Sequence, residues 1–436
     1  MPEKQALPTK QHVVSSARIG EQYTRVEHSS GLTLLLYPME GYNSAYALFA
    51  TKYGSVDNTF KTDADPDFVT VPEGIAHFLE HKMFECEDGD AFARYAHTGA
   101  SANAYTSFDR TAYLFSCTEN FADSLEILLD FVSRPYFTPE TVQKEQGIIG
   151  QEIKMYEDNP GFRVYFNLLR ALYHNHPLNI DIVGTVESIA QIDADLLYRC
   201  YHTFYNLSNM VLCIAGHFAV DEVLAVADKM LKPAQPHSIL RGETDEPATV
   251  RQDTIEQLLP VALPLFHIGF KLPAPATEVD NLRNNILDEI LVNVIAGEST
   301  PLYRRLYDSG LINAEFGCDA MAGRDYCLSI FAGESRDPAR VRDEIAAEVT
   351  RLQQQGIDPD TFARYKKVLY GDYVGLFGRV ESVASLLLTC HFSDFEVYRV
   401  LDAIAAVTPA DVQKRLNECY RVEHSALSVV KAPPAV

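Results

Sequence analysis

The second half of this 436-residue chain repeats the order of hydrophobic signals in the first, and that repetition limits the fold more than any single motif does. In the first half an apolar helical run, GIAHFLEHKMF, precedes strand-like ASANAYTSFDRTAYLFSC, an amphipathic helix FADSLEILLDFVSR and a further helix FTPETVQKEQGIIGQEIKMY. In the second half NNILDEILVNVIAG precedes INAEFGCDAMAGRDYCLSIFAG, then DPARVRDEIAAEVTRL and IDPDTFARYKKVLYGDYVGLF. The last pair share a start signal. Thr138-Pro139-Glu140-Thr141 and Asp358-Pro359-Asp360-Thr361 each place an N-cap residue before Pro at the first helical position, with an acid in the first turn. Duplication accounts for the whole order, whereas two ordinary α+β domains sharing a common helix start account only for the last pair.

The length agrees with more than one domain, because single cores stop growing near ~250–300 residues. The polar stretch 231–255, rich in Pro, Thr and charge and without either hydrophobic period, is the predicted linker. It leaves an N-terminal domain over 1–230 and a C-terminal repeat over 256–436. Hairpin-spaced strands followed by runs of helix predict an α+β fold of two related domains, each a mostly antiparallel or mixed sheet packed with helices. Neither half contains GxGxxG or a P-loop, so nucleotide chemistry has no support.

Net charge narrows the partners. At −23 the chain repels phosphate backbones and anionic headgroups, which argues against nucleic acid and membrane surfaces. No run approaches the ~18 apolar residues of a membrane span, and the first residues lack the apolar core of a secretion signal. The eight cysteines form no CxxC pair, and several fall in apolar runs such as MVLCIAG. A cytoplasmic protein without structural disulfides is the expectation.

His77-Phe78-Leu79-Glu80-His81 forms an H-x-x-E-H string inside the first apolar helix. At ~100° per residue His77 and His81 stand one turn apart on one face, with Glu80 on the same side. Two imidazoles so placed can bind Zn²⁺, and a carboxylate beside them that does not ligate can take a proton from water activated there. A catalytic zinc usually has a third protein ligand. The helix from Pro139 to Glu157 offers candidates, because Val142, Ile149, Ile153 and Tyr156 define an apolar arc and Glu145 and Glu152 fall inside it or at its edge. Lys144, Gln151, Lys154 and Glu157 lie outside. Turning two carboxylates toward a core costs several kcal/mol unless they are paired or bind metal.

With Glu145 and Glu152 placed after it, the motif resembles the inverted zinc motif of the pitrilysin and insulinase family, which includes mitochondrial processing peptidases. The likeness extends to Asn103-Ala104-Tyr105-Thr106, Gly184-Thr185, Ser208-Asn209-Met210 and Ala215-Gly216, and is nearest to the bacterial YmfH-type branch. It covers most of residues 20–220 specifically and the second half more weakly. The resemblance implies zinc ligation by His77, His81 and Glu152, Glu80 as general base, and Glu145 as a carboxylate that orients a ligand or tunes the metal. It implies that Asn103 and Ala104 lie on an edge strand that pairs with an extended peptide. The implied fold is a clamshell of four such halves, within one long chain or across two.

One departure bears on activity. Family members commonly carry an Arg and, seven residues later, a Tyr that hold the substrate and polarise its carbonyl. Here the comparable run, residues 302–313, has Tyr307 near the first position and Asn313 near the second, and Tyr365 and Asp372 stand at the places matched to Glu145 and Glu152. A split site follows as an expectation: this chain brings the metal, and a paralogous subunit, or a second copy, completes the chamber. The alternative is a peptide-binding or scaffolding subunit that keeps zinc for structure. Three other groups are set aside as loop or surface features. They are Asp63, Asp65 and Asp67, which lack the Gly and Glu of a calcium loop; His174 and His176; and the acids Glu85, Glu87, Asp88 and Asp90.

Overall fold

A computed structural model describes residues 8–434. By Cα proximity the chain divides into two compact units. Unit 1 takes the chain through Ile153, then Asp181–Glu243 and Val374–Phe392; unit 2 takes Lys154–Ile180, Thr244–Tyr373 and the chain from Ser393 onward. The polar stretch 231–255 contributes a short strand, Ile239–Arg241, paired with Thr59–Thr62, and the chain passes into unit 2 after Glu243.

The main sheet of unit 1 has seven strands: β1 (Lys10–Ser16), β2 (Glu21–Glu27), β3 (Thr33–Pro38), β4 (Ala45–Thr51), β5 (Ser101–Thr106), β6 (Thr111–Cys117) and β7 (Met210–Gly216). Their order is β1-β2-β3-β7-β4-β6-β5, with only β3 and β7 parallel. Central β7 reads MVLCIAG and is buried at every residue, as a strand covered on both faces should be. Unit 2 has a five-stranded sheet: β8 (Thr254–Leu258), β9 (Leu265–Leu272), β10 (Gly317–Ala322), β11 (Cys327–Glu334) and β12 (Ser425–Lys431). Its order is β8-β12-β9-β11-β10, again with one parallel pair, β8 and β12. Strand for strand this is β3-β7-β4-β6-β5, so the repetition read from the sequence is a repetition of sheet topology. The register carries the match to single residues. Thr106 pairs with Thr111 and Ala322 with Cys327, which sets Asn103 against Asp319.

Six helices matter here: α1 (Ile75–Met83), α2 (Pro139–Glu157), α3 (Pro160–Leu172), α4 (Glu278–Ala296), α5 (Pro359–Leu376) and α6 (Val380–Phe392). The shared start signal forms in both copies, with Thr138 Oγ1 accepting from the Thr141 N–H at 3.3 Å and Asp358 Oδ2 from the Thr361 N–H at 2.8 Å. Helices α3 and α6 follow directly after these and are exchanged: α3 packs on β9 and β12 in unit 2, and α6 on β4 and β7 in unit 1. Helix α6 buries Val383, Leu387, Leu388 and Phe392. At roughly 1.5–3 kcal/mol per buried side chain of this size, such contacts bind it to the unit 1 sheet. No single helix among the described residues is long and apolar enough to cross a membrane, and none of the eight cysteines forms a disulfide.

The loop holding His174 and His176 is anchored by protein groups. Glu246 accepts the backbone N–H groups of His174, Asn175 and His176 at 2.7–2.9 Å, and the Nζ of buried Lys271.

Candidate metal centre

Helix α1 begins where two backbones touch. Gly74 takes φ 86°, and a Cβ there would stand 2.6 Å from the Val183 carbonyl oxygen; Gly184 takes φ 74°, and its Cβ would stand 2.6 Å from the Glu73 oxygen. Only glycine fits both the left-handed conformation and the contact. Thr185 and Ser188 form a capping box, and Ser188 Oγ also donates to the Glu73 carbonyl at 2.9 Å. The start of α1 is thereby fixed, and the helix turns His77 and Glu80 inward, 8% and 9% exposed.

Helix α2 presents the arc that its spacing predicts. Val142, Ile149 and Ile153 are buried, Glu145 and Glu152 half-buried, and Lys144, Gln151, Lys154 and Glu157 exposed. Glu152 Oε1 lies 3.7 Å from His77 Nε2, and its Oε2 lies 3.5 Å from His81 Nε2. One ligand atom from each of His77, His81 and Glu152 falls within 4.8 Å of the others, the only such group among the described residues. Glu145 Oε1 meets His81 Nδ1 at 2.9 Å, which places a proton on Nδ1 and leaves the Nε2 lone pair facing Glu152.

The donor chemistry fits zinc. Bonds of ~2.0–2.1 Å from a tetrahedral ion set its ligands ~3.3 Å apart, close to the two separations found. Burial, together with the nearby His81, pushes the His77 imidazole down to about 3, so it is neutral with a lone pair to give. Its Nδ1 is buried without a hydrogen-bond partner. Burial works against a charge on His81 too, but the Glu145 hydrogen bond and the charges of Glu80, Glu152 and Glu145 outweigh it and raise its pKa.

Glu80 lies beside the three and outside the ligand group. Burial raises its pKa, opposed by a hydrogen bond from Thr106 Oγ1 to Oε2 at 2.6 Å. Behind it sits a buried tyrosine pair, Tyr113 and Tyr205, whose hydroxyls are 2.7 Å apart. Neither Thr106 nor this pair was assigned a role from sequence, because no local spacing links them to α1. The strand–helix packing alone brings them together.

A groove of about 760 Å³ runs from Glu80 and His81 past Asn103, Ala104, Tyr136, Glu145 and Ile148. Asn103 and Ala104 lie on β5, the edge strand of the unit 1 sheet, where Asn103 Oδ1 accepts the Ala104 N–H at 2.9 Å. The groove also reaches the acids after α1, which are largely occupied: Glu85 bonds the buried Lys82, Asp90 caps a helix by accepting the Phe92 N–H at 2.8 Å, and Asp88 lies 3.8 Å from Arg134. Asp63 and Asp65 accept from Ser238, Thr62 and Arg199 in a turn. Within unit 2, Tyr307 stacks on Tyr303, and Asn313 donates to Glu334 at 2.7 Å. Tyr365 bonds Ser299 through its hydroxyl, and Asp372 is exposed.

Two family models match the chain: Insulinase (Peptidase family M16) over residues 71–186 and Peptidase M16 inactive domain over residues 191–369. The chain belongs to the M16 peptidase family. Among M16 relatives, it is 39% identical over 412 residues to the uncharacterized zinc protease YmfH of Bacillus subtilis, covering 93% of this chain and 95% of that one. The crystal structure of a putative M16-like peptidase from Alicyclobacillus acidocaldarius superposes with a TM-score of 0.90 at 34% identity, covering 98% of this chain and 99% of the other. The mitochondrial-processing peptidase subunit beta of Caenorhabditis elegans is 31% identical over 190 residues, 41% of each chain. The match described as inactive spans the part of the M16 chain with no H-x-x-E-H.

Proposed function

We propose that this chain is a zinc-dependent peptidase, or the metal-holding subunit of a two-subunit peptidase, that hydrolyses peptide bonds of extended peptides. The observation that carries this reading is the convergence of His77, His81 and Glu152 within 4.8 Å, with Glu80 beside them but outside the group. A purely structural site has no use for that buried carboxylate.

His77, His81 and Glu152 would hold the ion, and Glu145 would keep His81 in the ligating tautomer. Zinc bound there would supply Lewis acidity, lowering the pKa of the attacking water and polarising the peptide carbonyl. Glu80 keeps Oε2 against Thr106 and has Oε1 to accept a proton from the attacking water, which it then returns to the leaving amine. The edge of β5 at Asn103 and Ala104 binds the substrate by main-chain pairing, once the Asn103 side chain releases the Ala104 N–H.

Tyr307 and Asn313 stand where an Arg and a Tyr would steady the carbonyl, which supports completion by a paralogous subunit or a second copy. The same substitution favours a second reading, a peptide-binding subunit that does not cleave. Eight cysteines outside any disulfide support a reducing, cytoplasmic setting.

Purified protein, alone and with a paralogous chain, should be assayed on a peptide library with and without chelator, with zinc measured by plasma spectrometry. Glu80→Gln is expected to keep its zinc and lose cleavage. Full cleavage by that variant, or loss of zinc with the activity, removes Glu80 as base; zinc without cleavage in any combination leaves the peptide-binding reading.

A further inference from the structure

Strand β5 touches the reacting end of the site at one residue that the ligand set leaves out. Thr106 Oγ1 stands 2.6 Å from Glu80 Oε2. Proton bookkeeping fixes the direction. Thr111 Oγ1, 3.4 Å from Thr106 Oγ1, gives its own proton to the Tyr53 carbonyl at 2.9 Å, so Thr111 can only accept. Thr106 has a single hydroxyl proton, and the carboxylate is the nearer, charged acceptor. Glu80 Oε2 thus accepts the Thr106 hydroxyl, and Oε1 is the oxygen left to take a proton.

The same residue has a second connection. Ser107 turns its N–H inward to Arg110, at 2.8 Å, so the alternation of strand bonding directs the Thr106 N–H to the outer edge of β5. That is the edge carrying the Ala104 N–H, to which an incoming peptide would pair. The strand that would seat the substrate therefore also grips the base.

We propose that Thr106 is a positioning residue for the reaction, fixing the rotamer of Glu80 by its hydroxyl and tying the base to the strand that receives the peptide. This rests on the peptidase reading above. A threonine serves better than a serine or valine in one respect each: its methyl group restricts χ1, and its hydroxyl supplies the donor.

The test compares Thr106→Val and Thr106→Ser in the full zinc-loaded chain, with any partner that the wild type needs. Thr106→Val is expected to keep its zinc and its KM within about twofold while kcat falls about 10- to 100-fold, the loss of one hydrogen bond to a charged group. Thr106→Ser is expected to recover kcat to within about threefold of wild type. A Thr106→Val enzyme with wild-type kcat overturns the proposal, as does a parallel loss of zinc, melting temperature and kcat that serine does not restore. A second readout needs no turnover. The infrared carboxylate band that disappears in Glu80→Gln should shift in Thr106→Val; an unmoved band overturns the proposal. If the wild type cleaves no peptide, the peptidase reading fails, and the band still decides whether Thr106 holds Glu80.

Discussion

Removing the Glu145 carboxylate separates a ligand from a residue that orients one. Glu145 Oε1 lies 2.9 Å from His81 Nδ1, whereas the ligand group is His77, His81 and Glu152. In Glu145→Gln the side chain keeps its shape and loses its charge, so His81 loses a charge-assisted hydrogen bond worth ~1.5–3 kcal/mol. Converted at ~1.4 kcal/mol per decade, that is about 10- to 100-fold in affinity, the same range that loss of outer partners of metal-binding histidines generally costs. Glu152→Ala removes a donor outright and should cost more than Glu145→Gln. Competition with a chromophoric chelator at neutral pH measures both. An unchanged zinc affinity in Glu145→Gln refutes the orienting role. A loss as large as that of Glu152→Ala would instead make Glu145 a ligand.

Other predictions concern the frame around the site. Gly184→Ala should lower the melting temperature by several degrees and zinc affinity with it, since the added Cβ meets the Glu73 carbonyl oxygen at 2.6 Å in a left-handed conformation; a silent variant would show that α1 does not depend on that contact. Glu246→Ala should cost ~3 kcal/mol in urea unfolding, because it removes the carboxylate paired with buried Lys271, whose Nζ keeps only backbone carbonyl acceptors, and the acceptor of three backbone N–H groups. Although burial opposes it, those donors hold the Glu246 carboxyl below its ordinary 4.5, so its stabilisation is present above 4.5 and lost as pH falls below that value, and the variant should converge on wild type in acid. Burial first, then Asp319, pushes Glu289 up to about 7 from 4.5, so the native state holds a proton that the unfolded chain releases. Stability should fall as pH rises between those values, by up to ~3 kcal/mol, and Glu289→Gln should flatten that slope in unfolding curves taken at pH 4 and 8.

What the sequence revealed of the site depended on spacing along single helices. His77, Glu80 and His81 are one turn of α1, and the acids of α2 are two turns of one stripe, so a wheel places all of them without a tertiary contact. The repeat was legible for a related reason: a helix start such as Thr138-Pro139 is a local signal, and its recurrence at Asp358-Pro359 implies a recurring module. What stayed hidden depends on contacts across elements. The approach of Gly74 to Gly184 joins residues far apart in sequence through two carbonyl oxygens, and nothing in either neighbourhood announces it. The exchange of α3 and α6 was equally silent. An amphipathic pattern says that a helix buries one face, but Leu168, Leu172, Val383 and Leu387 do not say which of two similar sheets will cover them. His174 and His176 sit in the loop that their turn-like neighbourhood predicts, but the carboxylate that holds it, Glu246, is some 70 residues away in sequence and carries no local signal.

The two copies show which parts of the module belong to the fold and which to the chemistry. Both keep the edge strand, and both cap it with a short side chain, Asn103 to the Ala104 N–H and Asp319 to the Ala320 N–H at 2.9 and 2.8 Å. An unpaired edge invites association whether or not a metal lies beside it, so this cap is retained as part of the scaffold. The hydroxyl is not retained: Thr106, which holds Glu80, becomes Ala322 in the second copy. The imidazoles vanish too, and on α4 burial, with the charges of Asp319, Asp288 and Asp372, raises the pKa of Glu289, which accepts the Tyr373 hydroxyl at 3.4 Å. Without a cation to offset them, such acids keep a proton instead of a metal. The loss of Thr106 together with the histidines fits a residue whose purpose is to serve the base, because a threonine needed only for the hairpin would have no reason to disappear with them.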